Sequence, residues 1–145
     1  MIVWKTADVG EVVSIIKGRK PNIVSYMMNE ETPHNYVTIE AFEFGVAVQF
    51  ASQDKNSIVT DVGDVLIVWD GARFGMVGKS IGGVLGSTLA HLKPDKILDK
   101  NYLYYFLLLK NLYLRSNQRG AGIPHLDSHL VRKLSIPLPF SCGRK

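Results

Sequence analysis

Hydrophobic positions along this chain change period several times, and each change marks an element. Over residues 8–16 the apolar Val9, Val12, Val13 and Ile16 fall on one helical face. Asp8 can cap and Glu11 follows three residues later, as in a capping box, so a helix is predicted there and Gly18 ends it. Residues 22–34 carry no period and include Asn29-Glu30-Glu31-Thr32-Pro33-His34, which predicts an irregular polar loop of the kind that often carries specificity. Residues 36–40 and 44–50 alternate apolar with polar, as half-buried strands do.

After a hydrophilic turn at 52–57, further strands are predicted at 58–60, 65–69, 74–77 and 85–91. Asp70-Gly71 forms a turn after the first apolar run, and Gly78, Gly82, Gly83 and Gly86 mark bends or close backbone approaches. Pro94-Asp95 closes the sheet region. Residues 99–114 then read as the best helix in the chain, with Leu103, Phe106, Leu107, Lys110 and Leu114 on one face and Tyr102, Tyr105, Leu109 and Leu112 beside it. So wide a stripe is expected to be mostly buried, and aromatic residues at helical spacing belong to a core more often than to a base-stacking surface. A polar loop at 115–122, a short helix at 127–133 and a last strand at 134–138 complete an α+β reading: a twisted, mainly antiparallel mixed sheet flanked by a few helices.

Length and composition point to a single domain over residues 1–145. The chain is 46% hydrophobic, enough for a core without disulfides or metal. Cys142 is the only cysteine and lies in a polar tail, so no internal disulfide is possible and a reducing cytoplasm is expected. The N-terminus lacks a signal-peptide pattern. The longest apolar stretch, 102–109, falls far short of the roughly 20 residues of a membrane helix, so no membrane partner is expected.

Net charge is only +4, but it is unevenly spread. Residues 110–145 hold seven bases against the single acid Asp127, a net +6, while the first 109 residues hold ten bases and twelve acids, a net −2. A basic segment on a near-neutral body suits a phosphate-contacting face, and equally suits a solvated tail.

Enzymatic chemistry finds little support. P-loop, G-x-G-x-x-G, G-x-S-x-G and H-E-x-x-H patterns are missing, as is the Asn/Asp-Pro-Pro-Tyr type of motif used by amino-group DNA methyltransferases, so neither catalysis nor a cofactor is expected. A hydrolytic rival would need Asp64, Asp70 and a histidine. His125 and His129, spaced i, i+4, would share a helix face, and Asp127 or Cys142 would complete a zinc site. Two spaced histidines are a weak motif, and an exposed His125 meeting solvent or phosphate is preferred.

Several segments resemble the target recognition domain of type I restriction-modification specificity subunits. Trp4, Val9-Gly10-Glu11-Val12 and Ile15-Ile16-Lys17-Gly18-Arg19-Lys20-Pro21 look like that family's opening, and Tyr36-Val37-Thr38-Ile39-Glu40 like its first sheet strand. Residues 61–75 resemble its GD-apolar-WDG-aromatic-G hairpin, and 102–109 the helix before its final motif. Gly120-Ala121-Gly122-Ile123-Pro124-His125-Leu126, leading to Ile136-Pro137-Leu138-Pro139, is the most specific match. The resemblance implies a sequence-specific DNA-binding component that recognises one half of a split double-stranded target. Its partners would be a methyltransferase (modification) subunit and, through it, the restriction subunit. Full specificity subunits carry two such domains and long docking helices. Here only six residues follow Pro139, too few for a heptad run, so a single or truncated recognition domain is expected, weak in assembly and open to homodimerisation. An orphan interaction domain that pairs with specificity or methyltransferase subunits, and alters or blocks them, is the alternative.

For DNA reading the tools are Arg and Lys for guanine edges and phosphates, and Asn, Gln or Ser for adenine and backbone. Three loops offer them: Lys17, Arg19 and Lys20; Arg73 with Lys79 and Ser80; and Asn117, Gln118 and Arg119, with His125 beyond. Each has a structural rival. The first cluster sits where a helix dipole favours cations, and Arg73 can pair with Asp70. Asn117-Gln118-Arg119 has less structural reason to exist.

Overall fold

The computed structural model of the protein describes residues 4–117 and 122–138. Its elements run β1 (Lys5–Asp8), α1 (Val9–Val12), β2 (Val13–Lys17), β3 (Val24–Ser25), β4 (His34–Val37), α2 (Ile39–Phe44), β5 (Gln49–Ala51), β6 (Val59–Thr60), β7 (Val65–Val68), β8 (Val77–Lys79), β9 (Gly83–Leu85), β10 (Leu89–Pro94), α3 (Lys100–Arg115), α4 (Ser128–Arg132) and β11 (Ser135–Leu138). The strands form three sheets, ordered β2-β10-β7-β8, β3-β5-β4-β9-β6 and β1-β11. Pairing is antiparallel except between β4 and β9, which keeps the α+β, mainly antiparallel class expected from the sequence.

At the centre lies β7, whose four apolar residues are all buried. Side chains alternate across a strand. Val65 and Ile67 therefore join a core with Ala90, Leu92, Leu103, Leu107 and Ile136, while Leu66 and Val68 join a second core with Val37, Leu85 and Leu89. Covering both faces explains why the run is continuously apolar rather than alternating. Each such burial contributes about 1.5–3 kcal/mol.

Several predicted elements are redrawn. The capping box is present, with Glu11 accepting the Asp8 N–H at 2.9 Å, but the helix it starts is a single turn. From Val13 the chain becomes β2, paired with β10, because the β-branched Val13, Ile15 and Ile16 fit a pleated ladder better than a helix surface. The strand predicted at 36–40 ends at Val37. Thr38 accepts the Ala41 N–H at 3.2 Å as an N-cap, and Gly45, at φ 79°, ends α2 in the left-handed region. The strand predicted at 44–50 shrinks accordingly to β5. Residues 72–75 form a turn before β8, and the run at 85–91 divides into β9 and β10 at the bend after Leu85. Two-residue β3 lies within the otherwise irregular 22–34 segment.

The long helix α3 starts as expected, with the Asp99 carboxylate accepting the Tyr102 N–H at 3.0 Å. Its burial is narrower than expected. Leu103, Phe106, Leu107 and Leu114 are in the core, yet Leu109 is 84% and Leu112 81% exposed, with Tyr105 and Tyr113 also largely open. The sheets cover one face of the helix and leave an apolar stripe outside.

Gly18 joins the sheets. Its N–H donates to the Leu89 carbonyl at 2.9 Å, and the next residue's N–H donates to Leu85 at 3.2 Å, so the exit of β2 presses on the β9–β10 bend. A Cβ on Gly18 would lie 2.1 Å from the Gly86 carbonyl oxygen. Because the obstacle is backbone, it has no flexible end to move aside. Gly18→Ala is therefore expected to destabilise the fold by roughly 1–3 kcal/mol, seen as a lower urea midpoint at unchanged slope; an unaltered midpoint contradicts the joint.

Candidate nucleic-acid interface

The C-terminal end of β7 collects much of the candidate chemistry. Trp69 and Asp70 donate their N–H groups to the Thr88 carbonyl at 2.7 and 3.3 Å. The Gly71 N–H reaches Pro124, and the Leu126 N–H reaches Trp69, both at 2.8 Å. Together with an antiparallel bridge between Asp70 and His125, these bonds lay the Pro-His-Leu segment along the strand end. Beside it opens a cleft of about 510 Å³ lined by Trp69, His125, Leu126, Asp127, Ser128, His129 and Arg132. Lys17, at the end of β2, pairs with the Asp70 carboxylate at 2.8 Å.

Two residues further on, Arg19 and Lys20 line a second, polar cleft of about 310 Å³ with Asn22, Asp54, Asn56 and Ser57. Asp54 organises it: one carboxylate oxygen accepts from Asn22 Nδ2 at 2.9 Å, and the other accepts the Asn56 N–H at 2.8 Å. The Asp54 N–H in turn donates to Ser57 Oγ at 2.9 Å. Lys17 and its neighbours thus link the two clefts into one strip of cations, amides and hydroxyls, interrupted by Asp54, Asp70 and Asp127. Its chemistry suits a polyanion held by phosphate contacts, although the Asn22 amide is engaged by Asp54.

The other candidates divide. Arg73 lies in the turn leaving this end of β7 but pairs with Glu43 on α2, not with Asp70. Lys79 faces Val65 in the β7–β8 ladder and so lies at the opposite end of the sheet. There its ammonium is 3.3 Å from Asn101 Oδ1 and 4.8 Å from the centre of the Tyr104 ring. Ser80 is only 3% exposed, with its hydroxyl 2.7 Å from Thr60 Oγ1 while accepting the Gly82 N–H at 2.9 Å. It is an internal structural hydroxyl, and the surface contact expected of it is corrected. Asn117 has a structural task after all: its Nδ2 donates to the Tyr113 carbonyl at 2.8 Å at the end of α3. Nearby Arg115, part of the basic segment, donates to the Phe74 and Ala72 carbonyls at 2.8 and 3.1 Å and so holds the 70–76 turn. Gln118, Arg119 and Cys142 lie outside the described residues.

His125 precedes α4, whose N-cap is Asp127, so His125 and His129 do not share a helix face as a zinc pair would require. Among the described residues no group of three His, Cys, Asp or Glu side chains is placed to hold a metal. The hydrolytic constellation also comes apart: Asp64 and Asp70 flank opposite ends of β7, about 20 Å apart at strand rise. Asp64 instead lies 3.5 Å from both His91 and Lys100. Burial pushes the His91 pKa below its ordinary value, outweighing the pull of Asp64.

Sequence reasoning missed Asn22, Asp54, Asn56, Ser57 and Arg132. The 19–22 and 54–57 segments meet only through the β3–β5 ladder, which no local spacing announces. Among the described residues no helix is long and apolar enough to cross a membrane.

The α+β architecture is similar to that of solved specificity subunits. The chain belongs to the type I restriction modification DNA specificity domain family, whose model matches residues 1–141. It is 34% identical over 139 residues to the type I restriction enzyme MjaVIII specificity subunit of Methanocaldococcus jannaschii, covering 94% of this chain and 32% of that protein. In fold it is similar to the HsdS subunit from Thermoanaerobacter tengcongensis, with TM-score 0.70 and 24% identity over 94% of this chain and 33% of that one. The S subunit of a type I system from M. genitalium matches at TM-score 0.64 and 16% identity, over 95% and 35% of the two chains. The chain spans about a third of the length of these relatives.

The Lys17–Asp70 pair generates a test. Asp70→Asn keeps the shape and frees the ammonium. A half-exposed pair is worth about 0–1 kcal/mol, so affinity for duplex DNA should rise by up to about fivefold at low salt, with a steeper salt dependence. Lower affinity in Asp70→Asn, at any salt, would show that the carboxylate itself faces the ligand.

Proposed function

We propose that this chain is a non-catalytic, cytoplasmic DNA target recognition domain that reads one half of a split duplex target for a type I methyltransferase and restriction complex. The family match over residues 1–141 carries the reading. The cation strip of Lys17, Arg19 and Lys20 with His125 supports it, because the tertiary structure brings together residues more than a hundred positions apart. In this reading Lys17, Arg19 and Lys20 contact phosphates, and Asn56 and His125 are the base-edge candidates. Arg73 remains a candidate for the same face, and Gln118 and Arg119 are proposed as DNA contacts from the sequence alone. Lys79, across the sheet, would take part only by contacting a different stretch of backbone.

Titration of labelled duplex at two salt concentrations tests this function. Counterion release predicts affinity that falls steeply with salt, and Lys20→Ala should weaken all sequences alike while lowering the slope by about one contact. Binding that is absent at low salt, or insensitive to salt, overturns the reading.

The second reading, an interaction domain, draws on a separate observation. The open stripe of α3, with Tyr105, Leu109, Leu112 and Tyr113, borders a groove of about 380 Å³ that Tyr102, Phe106 and Pro137 also line. Exposed apolar patches of this kind mark protein contacts, and a methyltransferase subunit is the partner proposed; a second copy about a two-fold axis would use the same face. Leu109→Glu with Leu112→Glu should leave stability within about 0.5 kcal/mol, as exposed changes do, yet weaken co-purification with the methyltransferase subunit while DNA affinity is kept. Unchanged complex mass excludes this face.

A further inference from the structure

A small apolar tip projects from the segment that follows β3. Tyr26 is 74% and Met27 76% exposed, and Met28 is also open to solvent. The backbone beneath them is firmly held. The Met27 carbonyl accepts from Ser25 Oγ at 2.6 Å, Asn29 Nδ2 at 3.2 Å and Thr32 Oγ1 at 3.3 Å. Asn29 Oδ1 accepts the N–H groups of Glu31 and Thr32 at 2.9 and 3.0 Å, and the Ser25 and Thr32 hydroxyls lie 2.7 Å apart. Thr32 is fully buried, which anchors the frame. Three large apolar side chains are thus presented to water on a preorganised loop, and none of them belongs to either hydrophobic core.

We propose that Tyr26, Met27 and Met28 form a wedge that enters a groove of the target duplex and sets preference at one base step. The proposal rests on the DNA-reading function above and deepens it. Apolar side chains, methionine among them, are inserted between base steps where a protein selects deformable sequence, and tyrosine offers a stacking face. Tyr26 lies six positions after Lys20, at most about 20 Å of chain, so phosphate contacts at Arg19 and Lys20 would bring the tip to the same helical turn. Its size also argues for DNA: a protein interface buries about 800 Å² per partner, whereas this tip is three side chains framed by Ser25, Asn29, Glu30 and Glu31. The two exposed acids repel phosphate, and in the minor groove, where such wedges enter, the base-edge donor open to them is the guanine 2-amino group.

Selection from a randomised duplex pool, using the full chain, decides. The wild type should enrich a consensus. A Tyr26→Ser, Met27→Ser, Met28→Ser variant should lose preference at about one or two adjacent positions, keep the others, and hold its low-salt affinity within about threefold. Asn29→Ala, which loosens the frame but keeps the tip, should weaken preference at the same positions. Because these side chains are exposed, equal melting temperatures confirm that the variants fold. A consensus unchanged in the triple variant overturns the wedge and leaves the tip as a protein contact or an inert loop; so does loss of all DNA affinity by a folded variant. A wild type that enriches nothing overturns the DNA-reading function itself, and the wedge with it.

Discussion

Burial of β7 on both faces is the constraint from which the rest of the structure follows. Val65 and Ile67 bind the α3 side of the molecule to the sheet, and Leu66 and Val68 bind the second core, so one four-residue strand holds two hydrophobic clusters in register. A one-residue slip would exchange the two sets of side chains between cores of different shape. The register of the strand is therefore fixed, and with it the positions at which the chain leaves its ends. Asp70 and Trp69 emerge at one end, Asp64 at the other, and each organises a different group of charges.

Acids temper the cation strip. Lys17 is held by Asp70 and Arg73 by Glu43, while Asp54 sits between Arg19, Lys20 and the amides of the second cleft. A recognition surface gains nothing from indiscriminate phosphate attraction, because non-specific sites outnumber the target. Carboxylates placed beside the cations subtract from that attraction at every sequence alike. In the proposed DNA-reading role, contacts that depend on base identity would then form a larger share of the binding energy.

The molecule also separates its surfaces. Polar clefts and the basic strip lie around the end of β7, whereas the open apolar stripe follows the outer face of α3. Arg115 connects the two regions, since its guanidinium grips the 70–76 turn from the last turn of the helix. A partner seated on α3 would therefore lie against the element that positions the turn carrying Arg73.

Local chemistry was legible wherever a side chain acts on its own backbone. The Asp8–Glu11 box, the helices starting near Asp99 and Asp127, the apolar run of β7 and the last strand all stand in the sequence, because capping and periodicity involve neighbours a few residues apart. Strand and helix were confused at 13–16 and 38–44. There the β-branched run and the alternating pattern each admit two conformations, and pairing with β10 or the Thr38 and Gly45 caps decided between them. The candidate site was legible only in part. Lys17, Arg19, Lys20 and His125 were named from residue type and family resemblance, and their convergence depends on β2 and β7 both pairing with β10. That Ser80 is internal, that Asn117 caps α3, and that Arg73 meets Glu43 rather than Asp70 are outcomes of tertiary packing. Burial and ion pairing over thirty residues of separation are set by which faces the sheets cover, a property of the whole fold that no window of sequence contains.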